Sequence, residues 1–269
     1  MRASLSFVKE FFNASGTNPN RALGQNFCID FERLSLALNG MELSLRPVLE
    51  IGAGLGALTE ILLAKGARVT AIELDSLLAN ALREGLECEV VQADALKLDT
   101  GFIDERWAVM GNLPYHITSP LLERYLSTPA KLHLYMVQKE AGERFFALPG
   151  DKNYCPVSII SQLYYTPKLL FELSPQSYYP APSVSSVIVC LTARDDAPSA
   201  SKAGLIGFAR RCLAMRRKTL KNNLRDVPEL ASVLSELGLR DDVRAEALSP
   251  EQFLQLYLNV ASGYDIIKR

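Results

Sequence analysis

Residues 111–115 read Gly-Asn-Leu-Pro-Tyr where a short apolar strand is expected to end, and this stretch can act on a planar amine. The Asn112 side-chain oxygen and the Leu113 carbonyl, the latter held by the fixed φ of Pro114, offer two acceptors. An acceptor pair placed out of plane draws the hydrogens of an aromatic amine toward itself. The lone pair then turns from the ring toward an electrophile. Tyr115 adds a face on which a flipped or single-stranded base can lie. The reaction this set suits is transfer of a methyl group from a sulfonium to the exocyclic nitrogen of a nucleobase, with positioning supplying much of the rate. The methylated amine is acidic enough to lose its proton to water, so His116 is not required as a base. Taken alone, an Asn-Pro-Tyr turn is structural.

A second stretch supplies the context. Val48-Leu49-Glu50-Ile51 leads into Gly52-Ala53-Gly54-Leu55-Gly56, a buried strand feeding a glycine turn and then a helix. Glycine fits where the backbone bends sharply and a ligand comes close. Glu73 lies 21 positions past Gly52 (73 − 52), at the end of the next strand, where a carboxylate can accept from both ribose hydroxyls. Gly52, Gly54 and Ala57 also satisfy a dinucleotide fingerprint, so a nicotinamide-dependent oxidoreductase fits the turn equally well. Asp94, at the end of the third strand, can take the amino group of an adenine or can simply cap a helix. Ligands of open α/β sheets bind beyond the carboxyl ends of the strands, which brings these stretches and Asn112 into one crevice.

The elements that must position these residues follow an α/β pattern from Pro47 to about Leu191. Strands are expected at Pro47–Ile51, Arg68–Ile72, Glu89–Gln92, Trp107–Met110, Leu132–Val137, Lys168–Leu173 and Val184–Leu191. Helices are expected at Ala57–Lys65, Ser76–Glu84, Ser119–Leu126, Lys139–Leu148 and Val157–Tyr165, with a short amphipathic one near Leu5–Phe12. The Ser174–Pro182 connection leaves no room for a crossover helix, so the last two strands form an antiparallel hairpin. Asp195–Ser201 reads as a linker, after which strand patterning gives way to four or five short helices. The expected division is a domain of residues 1–194 and an all-helical domain of residues 195–269.

Composition narrows the class. A hydrophobic share of 48% with 22% charged residues is that of a globular protein with a sizeable core. No apolar run approaches the ~18 residues that span a bilayer. The five cysteines form no CxxC and only His116 and His133 accompany them, so no metal site is expected and the thiols read as reduced, in a cytoplasm. A net charge of −1 argues against nucleic acid until its distribution is considered. Between Ile206 and Arg225 stand Arg210, Arg211, Arg216, Arg217, Lys218, Lys221 and Arg225, with no acid among them. Such a stripe grips a phosphate backbone, or else it is a solvated helix face.

At this point the chain resembles the KsgA family, the small-subunit ribosomal RNA adenine dimethyltransferases, from about Arg21 to Val260. The matching stretches include Leu23-Gly24-Gln25-Asn26-Phe27, the Glu50–Gly56 turn, Ile72-Glu73-Leu74-Asp75, Gln92-Ala93-Asp94-Ala95 and Gly111–Tyr115. Val137–Glu140, Tyr178–Val184 and Arg216–Leu224 complete them. The resemblance implies a Rossmann-like methyltransferase sheet and S-adenosylmethionine as cofactor. It implies cofactor contacts from Asn26, Cys28, Gly52, Gly54, Glu73, Asp94 and Asn112. The target adenine would lie between Tyr115 and Tyr178, beside Asn112, Leu113 and Pro114. Tyr178 stands where the family usually has Phe, Cys28 where it has Leu, and Ser183 where it has Lys. The implied partner is small-subunit RNA, in an immature subunit, met by a monomer at two adjacent adenines of a hairpin near the 3′ end. Arg210, Arg211, Arg216, Arg217, Lys218 and Lys221 would hold the RNA. Other readings are an adenine methyltransferase of large-subunit RNA or DNA, and a non-catalytic assembly factor.

Overall fold

Val48, Leu49, Glu50 and Ile51 are all buried, as befits a strand covered on both faces. In the computed structural model, which describes residues 1–263, that strand is the hub of the sheet. Before it come α1 (Leu5–Ser15), β1 (Phe27–Cys28) and α2 (Phe31–Ala37). The hub strand, β2 (Pro47–Ile51), pairs in parallel with β3 (Arg68–Glu73) and β5 (Ala108–Asn112). β4 (Glu89–Gln92) extends one side and β6 (Leu132–Gln138) the other, both parallel. β9 (Ser186–Ala193) joins β6 antiparallel, and β7 (Tyr165–Leu173) completes the order β4-β3-β2-β5-β6-β9-β7. β7 and β9 are neighbours, as the short connection requires. The chain leaves β2 toward one edge and β5 toward the other. A reversal of that kind opens a crevice at the strands' carboxyl ends.

The helices of this part follow from local signals. In α1, Ser4 accepts from the Phe7 N–H at the start and Gly16 (φ 63°) ends the helix. Val8 and Phe12, one turn apart, pack with Phe27, Leu55 and Leu78. α3 (Ala57–Ala64) leaves the glycine turn, and Asp75 caps α4 (Ser76–Gly85) by accepting from the Leu77 and Leu78 N–H groups. α5 (Thr118–Leu126) follows the Asn112–Tyr115 stretch. A two-residue ladder that sequence patterning does not reveal pairs β1 with β8 (Tyr178–Tyr179), setting Cys28 opposite Tyr178.

Some boundaries differ from expectation. Helix α6 covers only Lys139–Glu143, where Leu148 had been expected as its end. A Cβ at Gly142 would stand 2.2 Å from a Val187 methyl, so this stretch is shaped by close approach to β9 as well as by helix propensity. β7 starts at Tyr165, which had been expected as the last residue of a helix; its ring is buried.

By contacts the chain forms two compact units, and the division is not a single cut near residue 195. One unit comprises residues 1–121, 129–142 and 168–192. The other takes residues 122–128, 143–167 and those from Ala193 on. It holds α7 (Pro156–Tyr164), α8 (Lys202–Leu213), α9 (Leu220–Asn223), α10 (Leu230–Glu236) and α11 (Pro250–Gly263). α7 belongs to it because eight of its nine residues, all but Gln162, are buried, and the helix packs against α8 and α11. The last six residues of the expected helical domain, 264–269, lie outside the described residues. Among the described residues no helix is long and apolar enough to cross a membrane.

Candidate active site

The crevice at the carboxyl ends of β2, β3, β4 and β5 is lined by Ile51–Leu55, Ile72–Leu74, Ala93–Ala95 and Asn112–Ile117, with Leu23–Cys28 also against it. The turn after β2 needs its glycines. Gly54 has φ 59°, and a Cβ there would stand 3.3 Å from the Phe27 ring. The Glu73 carboxylate braces this turn, accepting from the Gly54 N–H at 2.8 Å and from the Asp75 N–H at 2.9 Å. Burial raises the Glu73 pKa, and those two N–H groups work against the rise. Each oxygen keeps a further lone pair for a ligand hydroxyl. Asp94 lines the crevice, and its Oδ1 also accepts from the Leu96 N–H at 2.9 Å, so the local turn role is real as well.

Asn112 is the central observation. Its Nδ2 donates to the Asn26 carbonyl at 2.8 Å. A carbonyl can only accept, so the amide is oriented without ambiguity. Its Oδ1 is buried and has no hydrogen-bond partner among the described residues. A buried acceptor left open costs about 1–3 kcal/mol unless something fills it. Leu113 is tied to β6 through its N–H and the Met136 carbonyl, and the Thr118 hydroxyl donates to the Pro114 carbonyl. The stretch is therefore rigid. His116 is exposed and lies against Gly24, its Nδ1 3.0 Å from where a Cβ there would be.

The two tyrosines differ. Tyr115 lines the crevice and bonds through its phenol to the Ser186 hydroxyl at 2.9 Å. Tyr178 is 2% exposed, packs in the apolar core with Cys28 and is not on the crevice wall. The ladder between β1 and β8 draws it inward, so it presents no open face. Cys28 is equally buried, which pushes its thiol up to about 12 and leaves its backbone as the part nearest a ligand's needs.

The basic run also departs from expectation. Arg210 pairs with Glu123, Arg211 with Asp226 at 2.7 Å and Lys221 with Asp241 at 2.8 Å. Arg216 donates to the carbonyls of Asp151, Lys152 and Tyr154 at 2.9, 2.6 and 3.1 Å and pairs with Glu246. It staples a loop. Arg217 and Lys218 are exposed and have no ion pair among the described residues.

Three residues escaped the sequence reading. Gln25 donates to the Asp75 carboxylate at 2.9 Å, tying the 23–28 segment to the end of β3; it stood in a matching stretch without a role. Ser186 left no signal. Glu50 is fully buried on β2, accepts from the Thr59 hydroxyl at 2.7 Å, and is pushed up to about 8 by burial and by Glu73. The folded protein keeps the Glu50 proton where an unfolded chain, with its ordinary value of 4.5, gives it up. The associated stability is whole below that value and drains as pH rises to about 8, by at most ~1.4 kcal/mol per pH unit. Glu50→Gln cannot ionise in either state. Its melting temperature is expected to fall less than the parent's between pH 5 and pH 8; parallel melting curves across that range would contradict the assignment.

A crevice with a braced glycine turn, a ribose-ready carboxylate and an open amide oxygen belongs to the Rossmann-like S-adenosylmethionine-dependent methyltransferases. Within that class the match is narrower. The family model described as ribosomal RNA adenine dimethylase covers residues 16–262, and the chain belongs to that family. It is 40% identical over 248 residues to a Deinococcus radiodurans protein called ribosomal RNA small subunit methyltransferase A, covering 89% of this chain and 85% of the relative. A Chlamydia muridarum protein of the same name is 33% identical over 270 residues, covering 95% and 97%. Among solved structures, a dimethyladenosine transferase from Plasmodium falciparum superposes with a TM-score of 0.70 at 27% identity, covering 85% of this chain and 95% of that one. The 23S rRNA methyltransferase ErmE superposes at 0.59 with 25% identity, covering 85% and 96%. The chain is an S-adenosylmethionine-dependent methyltransferase, and the oxidoreductase reading of the glycine turn falls away.

The residues fit that cofactor. The spare lone pairs of Glu73 and Asp94 are acceptors, matched to a ligand rich in hydroxyl and amino donors, and Asn112 with its open Oδ1 lines the same crevice.

Proposed function

We propose that this enzyme dimethylates the N6 amines of two adjacent adenines in a hairpin near the 3′ end of small-subunit ribosomal RNA, acting as a cytoplasmic monomer on an immature subunit. The observation that carries this reading is the buried, unpartnered Oδ1 of Asn112, one peptide from the Leu113 carbonyl and three residues from Tyr115. S-adenosylmethionine supplies an electrophilic methyl on a sulfonium. Glu73, Asp94, Gly52, Gly54 and the 26–28 segment would hold its nucleoside end. Asn112 Oδ1 and the Leu113 carbonyl would accept hydrogen bonds from the two amine hydrogens and so turn the amine lone pair out of the ring. Tyr115 carries the base. The proton lost after each transfer goes to water, so neither His116 nor any carboxylate need act as a base. After one methylation a single N–H remains for the acceptor pair, which is enough to orient the second transfer.

The test is to incubate the protein with labelled cofactor and small subunits lacking the modification, then to map the label by mass spectrometry. Two adjacent N6,N6-dimethyladenosines in the 3′ hairpin are the expected product. Label confined to large-subunit RNA would move the enzyme to the other branch.

Arg217 and Lys218 are exposed cations of the run with no ion pair among the described residues, and they are placed to meet phosphate. Replacing both with Ala is expected to weaken RNA binding and reduce the slope of log affinity against log salt by roughly 1–2 units. Arg216→Ala should instead lower the melting temperature, since it strips three carbonyls of their donor. An unchanged salt slope in the Arg217/Lys218 variant would count against this division.

A further inference from the structure

Ser186 lies in β9, fully buried, opposite Gln138 of β6 in the antiparallel register. It is mounted on a strand with neighbours on both sides, so its hydroxyl has little freedom to drift. That hydroxyl stands 2.9 Å from the phenol oxygen of Tyr115, across 71 residues of sequence. The buried Tyr178 phenol has no hydrogen-bond partner among the described residues.

Tyr115 itself follows the β5 strand end, in a single turn of 3-10 helix over Tyr115–Ile117. A tyrosine ring on such a turn has two soft torsions, and its outer end sweeps the widest arc. A bond at the phenol therefore removes more ring freedom than any contact near Cβ. A base stacked on the ring inherits the plane of the ring. A small tilt there displaces the exocyclic amine, which sits at the edge of the base, relative to the fixed Asn112 Oδ1. Near-attack geometry tolerates little such displacement.

We propose that Ser186 is a positioning residue for methyl transfer: by holding the Tyr115 phenol it fixes the plane on which the target base lies and so aims the amine at the acceptor pair. This rests on the functional reading above. Ser186 touches neither substrate nor cofactor and acts through Tyr115. A merely structural hydroxyl, there to satisfy a half-buried phenol, would alter melting and leave the chemical step alone.

A mutant cycle separates the two. Single-turnover rates are measured on the full chain with saturating labelled cofactor and unmodified small subunits, for the parent, Ser186→Ala, Tyr115→Phe and the double variant. Cofactor affinity is measured by equilibrium dialysis and folding by thermal melting. Each single variant is expected to slow the chemical step by roughly fivefold to tenfold, with cofactor affinity and subunit half-saturation within about twofold of the parent, as loss of one hydrogen bond implies. The double variant should be no slower than the slower single one, because both remove the same bond. A parental rate in Ser186→Ala, or a double defect equal to the product of the two single defects, overturns the proposal. If Ser186→Ala does not fold, Tyr115→Phe breaks the bond from the other end, and a parental rate there is equally fatal. A parent that transfers no methyl to small subunits sinks the functional reading. An active parent with an indifferent Ser186→Ala sinks only this one.

Discussion

Asn112→Ala is expected to slow methyl transfer by roughly 10²-fold or more at saturating cofactor and RNA, the scale of removing one preorganised polar group from a reacting centre. The loss has two sources that can be told apart. The Oδ1 atom is the open acceptor, and in the proposed mechanism its removal would leave the amine planar with its lone pair in the ring. The Nδ2 atom holds the Asn26 carbonyl, and its removal loosens the 23–28 segment that helps line the crevice. Asn112→Asp separates them: it keeps an acceptor oxygen but sets a second one against the Asn26 carbonyl. Cofactor affinity should therefore fall more in Asn112→Asp than in Asn112→Ala, while Asn112→Ala should show the larger defect in the chemical step once the cofactor is saturating. Equilibrium dialysis gives the first quantity and single-turnover rates the second. A folded, cofactor-bound Asn112→Ala that modified RNA at the parental rate would falsify the acceptor role.

Residues at strand ends were legible in the sequence because topology does the work of assembly. Gly52, Glu73, Asp94 and Asn112 lie at or just past the carboxyl ends of consecutive parallel strands, and any sheet with this order brings them to one crevice. Residues that act through side-chain bonds across long stretches were not legible. Gln25 meets Asp75 and Ser186 meets Tyr115 at separations of 50 and 71 residues, and such bonds impose no periodicity. The ladder between β1 and β8 is two residues long, too short for alternation to show, yet it decides that Tyr178 is covered. The basic run misled for a related reason. Its lack of acids was true along the chain and false in space, where Glu123, Asp226, Asp241 and Glu246 come from other segments to meet it. Charge read in one dimension identifies a solvated patch only when the third dimension adds no partners.

The largest stability effect is expected at Gly111, the residue before Asn112. Its φ is not left-handed, so backbone strain does not explain the glycine. Space does. Gly111 stands opposite Ile51 in the parallel pairing of β2 and β5, and a Cβ there would lie 2.4 Å from the Ile51 carbonyl oxygen. That oxygen belongs to the central strand and cannot swing aside as a side chain would. Gly111→Ala must therefore push β5 from β2 and is expected to cost about 3 kcal/mol, near the upper end for overpacking, lowering the melting temperature by roughly 5–10 °C. The same displacement moves Asn112, the next residue, away from the glycine turn. The rate well below the melting point should thus fall by more than the unfolded fraction explains, whereas a purely global effect would leave the folded fraction fully active. Measuring rate and folded fraction at one temperature separates these outcomes. A Gly111→Ala protein with parental melting and parental rate would mean that the two central strands can part without consequence, and the rigidity assigned to the Asn112–Tyr115 stretch would go with it.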